Sequence, residues 1–331
     1  MPSKIEWTQQ TWNPTIGCSK VSSGCRNCYA ETMAARLAGI GSTMYYNAVV
    51  ENGKWNGKTA FIRPHLDKPL KRKKPTIWFV GSMTDIFHPS VEVEWLDRIF
   101  DVISRCPQHR FIILTKRPEA MQAYMLGCQR GADDTGHPFP WVNVILGVTA
   151  ENQEQADKRI PVLLKTPAAA RFVSIEPMLG AVDLQCIDSG QTWSDKAETS
   201  KINALRGWSS SKRSAFAEYH IPESTCRFMD INKMNSLDWV ICGGESGPGA
   251  RPMHPDWARA LRDQCAAADK PFFFKQWGAW AEDQCKYFEN RKSWTDGKIS
   301  MFRNGKKANG NLLDGQVYEQ YPEILREVLD V

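Results

Sequence analysis

Short apolar segments recur along this chain, and a polar group follows almost every one of them. Residues with helical spacing of apolar side chains separate most of these segments. Near-continuous apolar strands that alternate with helices are typical of a parallel sheet buried on both faces. The sequence therefore predicts seven parallel strands, at residues 12–16, 76–81, 110–114, 142–146, 171–175, 238–242 and 271–274.

A length of 331 residues fits a single α/β barrel with insertions. In a barrel and in an open α/β sheet alike, ligands bind at the carboxyl ends of the strands. We therefore expect the polar side chains at those ends to converge at one opening of the barrel or sheet, which we call the mouth. These side chains are Ser82, Thr84, Asp85, Thr115, Lys116, Thr149, Glu151, Asn152, Glu176, Glu245 and Lys275. For those other than Thr115 and the two lysines, a helix N-cap or a loop hydrogen bond is the alternative. Lys116 and Lys275 would contact a carboxylate or a phosphate.

Two stretches depart from the alternation of strands and helices. Residues 187–237, between the fifth and sixth strands, are rich in Ser, Lys and Trp, with seven basic and six acidic residues. We expect an insertion there that covers the mouth or extends the substrate surface. Residues 281–331 are polar and irregular before a helix-like end. The predicted barrel is therefore 1–280, followed by a C-terminal extension.

Three cysteines, Cys18, Cys25 and Cys28, lie in one loop directly after the first predicted strand. Thiolates select zinc, copper(I) or an iron–sulfur cluster, and a structural zinc normally takes four protein ligands. No fourth ligand follows at a short interval, since the next candidates are His65 and Cys106. The trio favours a cluster with one open iron, or a catalytic zinc that keeps a water. Three ordinary loop cysteines are the remaining alternative.

Ten cysteines would also suit a disulfide-bonded secreted protein. The first residues, however, lack the apolar core of a signal peptide. No apolar segment approaches the roughly 20 residues that span a membrane. We therefore expect a cytoplasmic protein with reduced thiols, no membrane contact and mostly structural roles for the scattered cysteines.

The net charge of +5 is too mild to identify a partner by itself, but its distribution is uneven. Residues 61–75 contain six basic residues and only one acid, Asp67. Basic segments of this kind are commonly solvated faces, and the alternative is contact with the phosphates of DNA or RNA. Trp277, after the last predicted strand, would stack on a base or pack in the core. The basic residues of 61–75 are Arg63, Lys68, Lys71, Arg72, Lys73 and Lys74.

A cysteine trio after the first strand of a partial α/β barrel resembles the radical S-adenosylmethionine (SAM) enzymes. The first gap between cysteines is three residues longer than their usual pattern, and Asn27 replaces a common aromatic residue. Three short motifs resemble those of the spore photoproduct lyase-type group: Gly17-Cys18, Cys28-Tyr29-Ala30 and Leu114-Thr115-Lys116. This resemblance implies a partial (β/α)6-7 TIM-like barrel of radical SAM type, with the 187–237 insertion between its fifth and sixth strands.

Over nearly the whole chain, the sequence more specifically resembles the three-cysteine-motif phage proteins, an uncharacterised radical-SAM-like family of phages and bacteria. The sequence segments that carry this resemblance are residues 7–14, 147–151, 174–180, 243–251 and 273–278.

The resemblance implies that Cys18, Cys25 and Cys28 ligate three irons of a [4Fe–4S] cluster and that SAM binds the fourth. An electron donor would reduce the cluster, and SAM would be cleaved to methionine and a 5′-deoxyadenosyl radical. The SAM amino group would bind at Ser82, Thr84 and Asp85, and the ribose at Thr149, Glu151 and Asn152. The other implied cofactor contacts are Tyr29, Thr115, Lys116, Glu176 and Glu245, with Glu176, Glu245 and Lys275 as catalytic candidates.

These observations predict a radical SAM enzyme that modifies or repairs a nucleic-acid base or a nucleotide. One alternative is a radical SAM enzyme that acts on a peptide or small molecule. Another is a non-catalytic metal-binding protein that partners a phage or host protein. The motif Gly243-Gly244-Glu245 is common after the second strand of radical SAM enzymes. Here it follows the sixth predicted strand, so the motif alone assigns no role.

Overall fold

Seven strands form one sheet in this computed structural model, which describes residues 5–41, 43–136, 138–192, 199–210, 231–233, 235–282 and 292–329. All seven pair in parallel with their neighbours in chain order, and the sheet curls into a half-barrel. This confirms the predicted parallel α/β sheet. The strands are β1 (Gln10–Trp12), β2 (Ile77–Val80), β3 (Arg110–Thr115), β4 (Val144–Thr149), β5 (Ala170–Ile175), β6 (Trp239–Gly243) and β7 (Phe272–Gln276).

Helices follow most of these strands, as the apolar spacing predicts. The helices after β2, β3, β4 and β6 pack their apolar faces on the outer face of the sheet. No helix in the described part of the chain has the length and apolar composition that a membrane crossing requires. The helices are α1 (Tyr29–Gly39), α2 (Met44–Val49), α3 (Val93–Ser104), α4 (Pro118–Thr135), α5 (Gln153–Lys165), α6 (Pro255–Ala267), α7 (Lys306–Asn309) and α8 (Glu323–Leu329).

The start of the chain differs from the prediction. The first sheet strand ends at Trp12, whereas Thr15–Ile16 pairs antiparallel with Ala60–Phe61 beside the sheet. Pro14 lies between the two short strands, and a proline cannot donate to a ladder. Residues 38–60 contain α2 and a small hairpin of Val50–Glu51 with Lys54–Trp55.

The inner face of the half-barrel is filled with aromatic side chains. The Trp7 ring lies 4.7 Å from the ring of Phe79 and 6.3 Å from that of Trp239. Helix α8 contributes Leu325 and Val328 to the same buried cluster. The base of the lumen is therefore closed, and the open part of the inner face lies at the carboxyl ends of the strands.

Where the structure describes it, the segment 187–237 packs beside the outer helices α5 and α6, and residues 193–198, 211–230 and 234 lie outside the described part. That the insertion covers the mouth or extends the substrate surface stays a prediction. Asp188 N donates to Asp157 of α5 (2.9 Å), and Arg206 Nη2 donates to Ala267 O of α6 (2.8 Å). The described part of the segment therefore occupies the outer position of a crossover helix between β5 and β6. It forms an antiparallel sheet of Ile187–Thr192, Thr199–Asn203, Trp208–Ser210 and Ile231–Lys233.

The chain after β7 closes the second edge of the sheet. Phe274 N donates to Tyr318 O at 2.7 Å, and Gln320 N donates to Phe272 O at 3.2 Å. These bonds satisfy an edge that would otherwise be open to pairing with another chain. The same region forms a three-stranded sheet of Trp280–Glu282, Ser293–Thr295 and Ser300–Arg303, and a hairpin of Leu312–Leu313 with Gln316–Val317.

The packing of Gly147 generates a stability prediction. A Cβ at this position would collide with the ring of Phe172, which is fully buried. Gly147→Ala should therefore lower the free energy of unfolding by about 1–3 kcal/mol, the usual cost of overpacking, as measured by urea denaturation. Gly131→Ala, in α4 with open space around the Cβ, is the control and should gain up to about 1 kcal/mol. Equal stability of the two variants would contradict this packing.

Candidate functional site

The loop of residues 17–28 follows β1 and lies across the carboxyl ends of the strands. It starts at Gly17, whose φ of +96° and contact with Lys58 O leave no room for a side chain. Gly17 N donates to Met83 O (3.1 Å), and Thr84 Oγ1 donates to Gly17 O (2.6 Å). The residues that follow β2 therefore fix the start of this cysteine loop.

Asp85, which also follows β2, is buried and holds the end of β3. Its carboxylate accepts hydrogen bonds from Thr115 Oγ1 (2.7 Å), Lys116 N (3.1 Å) and Arg117 Nη1 (2.9 Å). Arg117 in turn donates through Nη2 to the carbonyl (3.1 Å) and hydroxyl (2.9 Å) oxygens of Ser19. The pair thus ties the first part of the cysteine loop to β2 and β3.

Glu151, after β4, is fully buried. One carboxylate oxygen accepts from Gly24 N of the loop (2.9 Å), and the other pairs with Arg159 Nη1 of α5 (2.9 Å). Burial alone would raise the pKa of Glu151, but the nearby Ser22 hydroxyl, the Gly24 amide and Arg159 outweigh burial and lower it. Glu151 is therefore held as a carboxylate against the middle of the loop.

Glu245, after β6, makes the third such contact. Arg251 donates to it from Nη2 (2.6 Å), Nε (2.8 Å) and its backbone N (2.9 Å), and Asn27 Nδ2 donates at 3.0 Å. Burial opposes ionisation, but the hydrogen bonds from Arg251 and Asn27 outweigh it and lower the pKa of Glu245. Arg251 also donates to Ser23 O (3.0 Å), so this pair holds two further points of the loop.

We call these three carboxylate–arginine pairs the loop clamps: Asp85–Arg117, Glu151–Arg159 and Glu245–Arg251. The three carboxylates converge on the mouth as expected, but protein donors engage their oxygens, and their roles toward SAM or substrate stay predictions. The arginines were missed as site residues. For two clamps a signal was available, since each arginine lies within eight residues of its carboxylate.

The structure gives local partners to three more of the predicted residues. Tyr29 OH donates to Ser82 O (2.6 Å), and the Ser82 hydroxyl donates to Asn13 Oδ1 (3.1 Å). Asn152 accepts from Gln155 N (3.0 Å) as the N-cap of α5, which confirms the alternative role considered for it. Thr149 is buried, at 1% exposure.

The other charged residues predicted at the mouth are Glu176, Lys275 and Lys116. Glu176 Oε1 pairs with Lys275 Nζ at 2.7 Å, and Glu6 Oε2 lies 3.8 Å from the same Nζ. Gly243 of β6 lies between Glu176 and Lys275, where a Cβ would touch both side chains at 3.4 Å. Lys116 is half-buried and forms no ion pair with any described residue. Lys116 is therefore available for an anionic group.

Trp277 is not a stacking platform, which corrects that expectation. It is buried, its Nε1 donates to Leu312 O (2.8 Å), and its ring packs edge-on against Phe274 at 5.0 Å. The core-packing alternative is confirmed because both the face and the polar atom of this indole already have protein partners.

The thiols of Cys18, Cys25 and Cys28 are free and half-buried. Burial, and next the charge of Asp85, raise the pKa of the Cys18 thiol to about 11, although the Arg117 guanidinium 3.9 Å away opposes this. Within the described part of the chain, no three His, Cys, Asp or Glu side chains are arranged to hold a metal ion. The donor chemistry fits a thiophilic metal, whereas a finished ligand geometry is not preformed.

Comparison with known proteins places the chain in a family. The family described as protein of unknown function (DUF5131) matches residues 2–322. The chain belongs to this DUF5131 family. No curated protein and no solved structure matches it. The family description names no activity.

The clamp at Glu151 generates a prediction. Glu151→Gln leaves Arg159 buried without its partner, which typically costs about 3–5 kcal/mol in unfolding free energy at neutral pH. The pKa of Glu151 is lowered in the folded state, so its stabilisation is present above pH 4.5 and is lost as the pH falls below that value. Denaturation at several pH values should show the gap between wild type and variant closing in acid.

Glu154→Gln is the matched control for this measurement. Glu154 lies in α5, the helix that also carries Arg159, and pairs with Lys158, but both side chains of this pair are more than 60% exposed. Its loss should cost no more than about 0.5 kcal/mol. Equal losses in the two variants, or a gap at Glu151 that does not change with pH, would argue against the clamp.

Proposed function

We propose that this protein is a radical SAM enzyme that holds a [4Fe–4S] cluster on Cys18, Cys25 and Cys28. The observation that carries this proposal is the position of the three free thiols. They share one loop at the carboxyl end of the first strand of a parallel half-barrel, at the edge where such sheets bind ligands. When bound, cluster and SAM would supply a radical able to abstract hydrogen from a substrate.

The loop clamps support the proposal because they hold the loop largely through residues other than its cysteines. Hydrogen bonds hold the loop at Gly17, Ser19, Ser23, Gly24 and Asn27. Among the clamp arginines, Arg117 also approaches a thiol, with its Nη1 3.9 Å from Cys18 Sγ. A loop of this kind can close on a metal by moving side chains, and its outer contacts would then orient the ligands.

The open charges of the mouth would serve SAM and substrate. Lys116 is suited to the carboxylate of SAM or a substrate anion, because an ammonium donates to such oxygens. The pair Glu176–Lys275 would exclude water and hold a proton near the substrate. We further propose a nucleic-acid base or a nucleotide as the substrate, on the strength of the basic residues in 61–75. A radical SAM enzyme for a peptide or small molecule, or a non-catalytic metal-binding protein, would replace this proposal if the tests below fail.

Anaerobic reconstitution with iron and sulfide tests the proposal. The wild type should take up about four irons per chain, and reduction in the presence of SAM should release 5′-deoxyadenosine, measured by chromatography. Cys18→Ala, Cys25→Ala and Cys28→Ala should each lose the cluster. Cys128→Ala, in α4 and outside the mouth, is the control and should keep the iron of the wild type.

Two results would overturn the proposal. One is full iron content in all three loop variants. The other is tightly bound zinc with no cleavage of SAM, which would favour a metal-binding module without catalysis.

A further inference from the structure

Five basic side chains along the β1 side of the sheet carry charges that pair with no acid in the described part of the chain. All five are exposed, and none forms an ion pair with a described residue. Asp67 is the one acid within this stretch. Arg72 differs from them, because it is half-buried and donates through Nε to Thr76 Oγ1 (2.5 Å). We call the five the basic strip: Arg63, Lys68, Lys71, Lys73 and Lys74.

The backbone that carries the basic strip is anchored to the sheet. Trp12 Nε1 donates to His65 O (2.8 Å), and the His65 ring bonds Asn13 O (3.0 Å) through Nδ1. Farther along, His109 Nε2 bonds Pro69 O at 3.1 Å. The strip is therefore a fixed surface rather than a solvated tail.

The composition of the segment adds stiffness. Three prolines restrict the backbone of this segment: Pro64, Pro69 and Pro75. The segment therefore loses less conformational entropy when it becomes ordered on binding a partner. Like charges on a rigid backbone repel one another, and this repulsion lowers the stability of the free protein. Counterions must balance the strip in solution, and a polyanion would release them on binding.

The basic strip runs from the mouth to the opposite end of the sheet. Near its start, Ile62 N donates to Pro14 O, close to where the cysteine loop begins. Lys71, Lys73 and Lys74 come directly before β2 and so lie at its amino end. The four residues of β2 alone span about 13 Å at ~3.3 Å per residue. A free nucleotide in the mouth could not reach those lysines.

We propose that the basic strip binds the phosphate backbone of a polymeric nucleic acid, from which one unpaired base enters the mouth. A strand advances about 3.4 Å per nucleotide, so the strip would follow roughly four nucleotides or more. The base must be single-stranded or flipped out, because a stacked base cannot enter a cavity. The entry of the base rests on the proposed function, whereas binding along the strip does not.

The experiment measures binding of fluorescent oligonucleotides by anisotropy. Affinity should rise with length from about 1 to about 20 nucleotides, and log K should fall linearly with log salt. Lys71→Glu/Lys73→Glu/Lys74→Glu should weaken binding at least tenfold and reduce the salt slope by about 2, since each lost contact removes about 0.7. Arg130→Glu/Lys165→Glu/Lys298→Glu changes the net charge equally at exposed sites elsewhere and is the matched control.

Three results would overturn the inference: equal loss in both triple variants, a single nucleotide that binds as tightly as a long strand, or binding of anionic lipid vesicles without binding of nucleic acid. The measurement needs no iron and no SAM. If reconstitution fails but only the strip variant loses binding, the proposed function is wrong and nucleic-acid binding by the strip is supported. If reconstitution succeeds but the strip variant binds like the control, the enzyme is supported and its polymeric substrate is ruled out.

Discussion

A carboxylate that leaves water needs a cation and hydrogen-bond donors, and three buried carboxylates impose this requirement on the mouth of the sheet. Asp85, Glu151 and Glu245 come from different strand ends, and an arginine meets each of them. Gly24 and Asn27 of the cysteine loop donate to Glu151 and Glu245, whereas the loop is tied to Asp85 through Arg117. The loop is therefore ordered by the same contacts that make burial of the charges tolerable, and its position depends on the whole sheet.

The part of the fold that the sequence could predict is the part that local burial determines. Every residue of β2, β4 and β5 is buried, so continuous apolar segments marked these strands clearly. The polar residues after them could be assigned to one mouth because parallel strands share their direction. The position of the cysteine loop followed from the same argument.

The unpredicted features depend on contacts between distant residues. Whether Glu151 faces a ligand or the loop is determined by Gly24, which is 127 residues away. The outer position of the described part of 187–237 depends on packing against α5 and α6, which composition does not encode. Trp277 could equally have been a platform or core, and its partner Leu312 lies 35 residues later. Spacing in sequence carries little information on pairings of this kind.

The filling of the lumen has a consequence for biosynthesis. Trp7 and α8 lie in one buried cluster, although more than 300 residues separate them in the chain. The N-terminal end leaves the ribosome first, so the part of the aromatic inner face that packs on Leu325 and Val328 stays uncovered until α8 emerges. During most of translation the nascent sheet would therefore expose a surface that invites aggregation, and only the last residues of the fold remove that hazard.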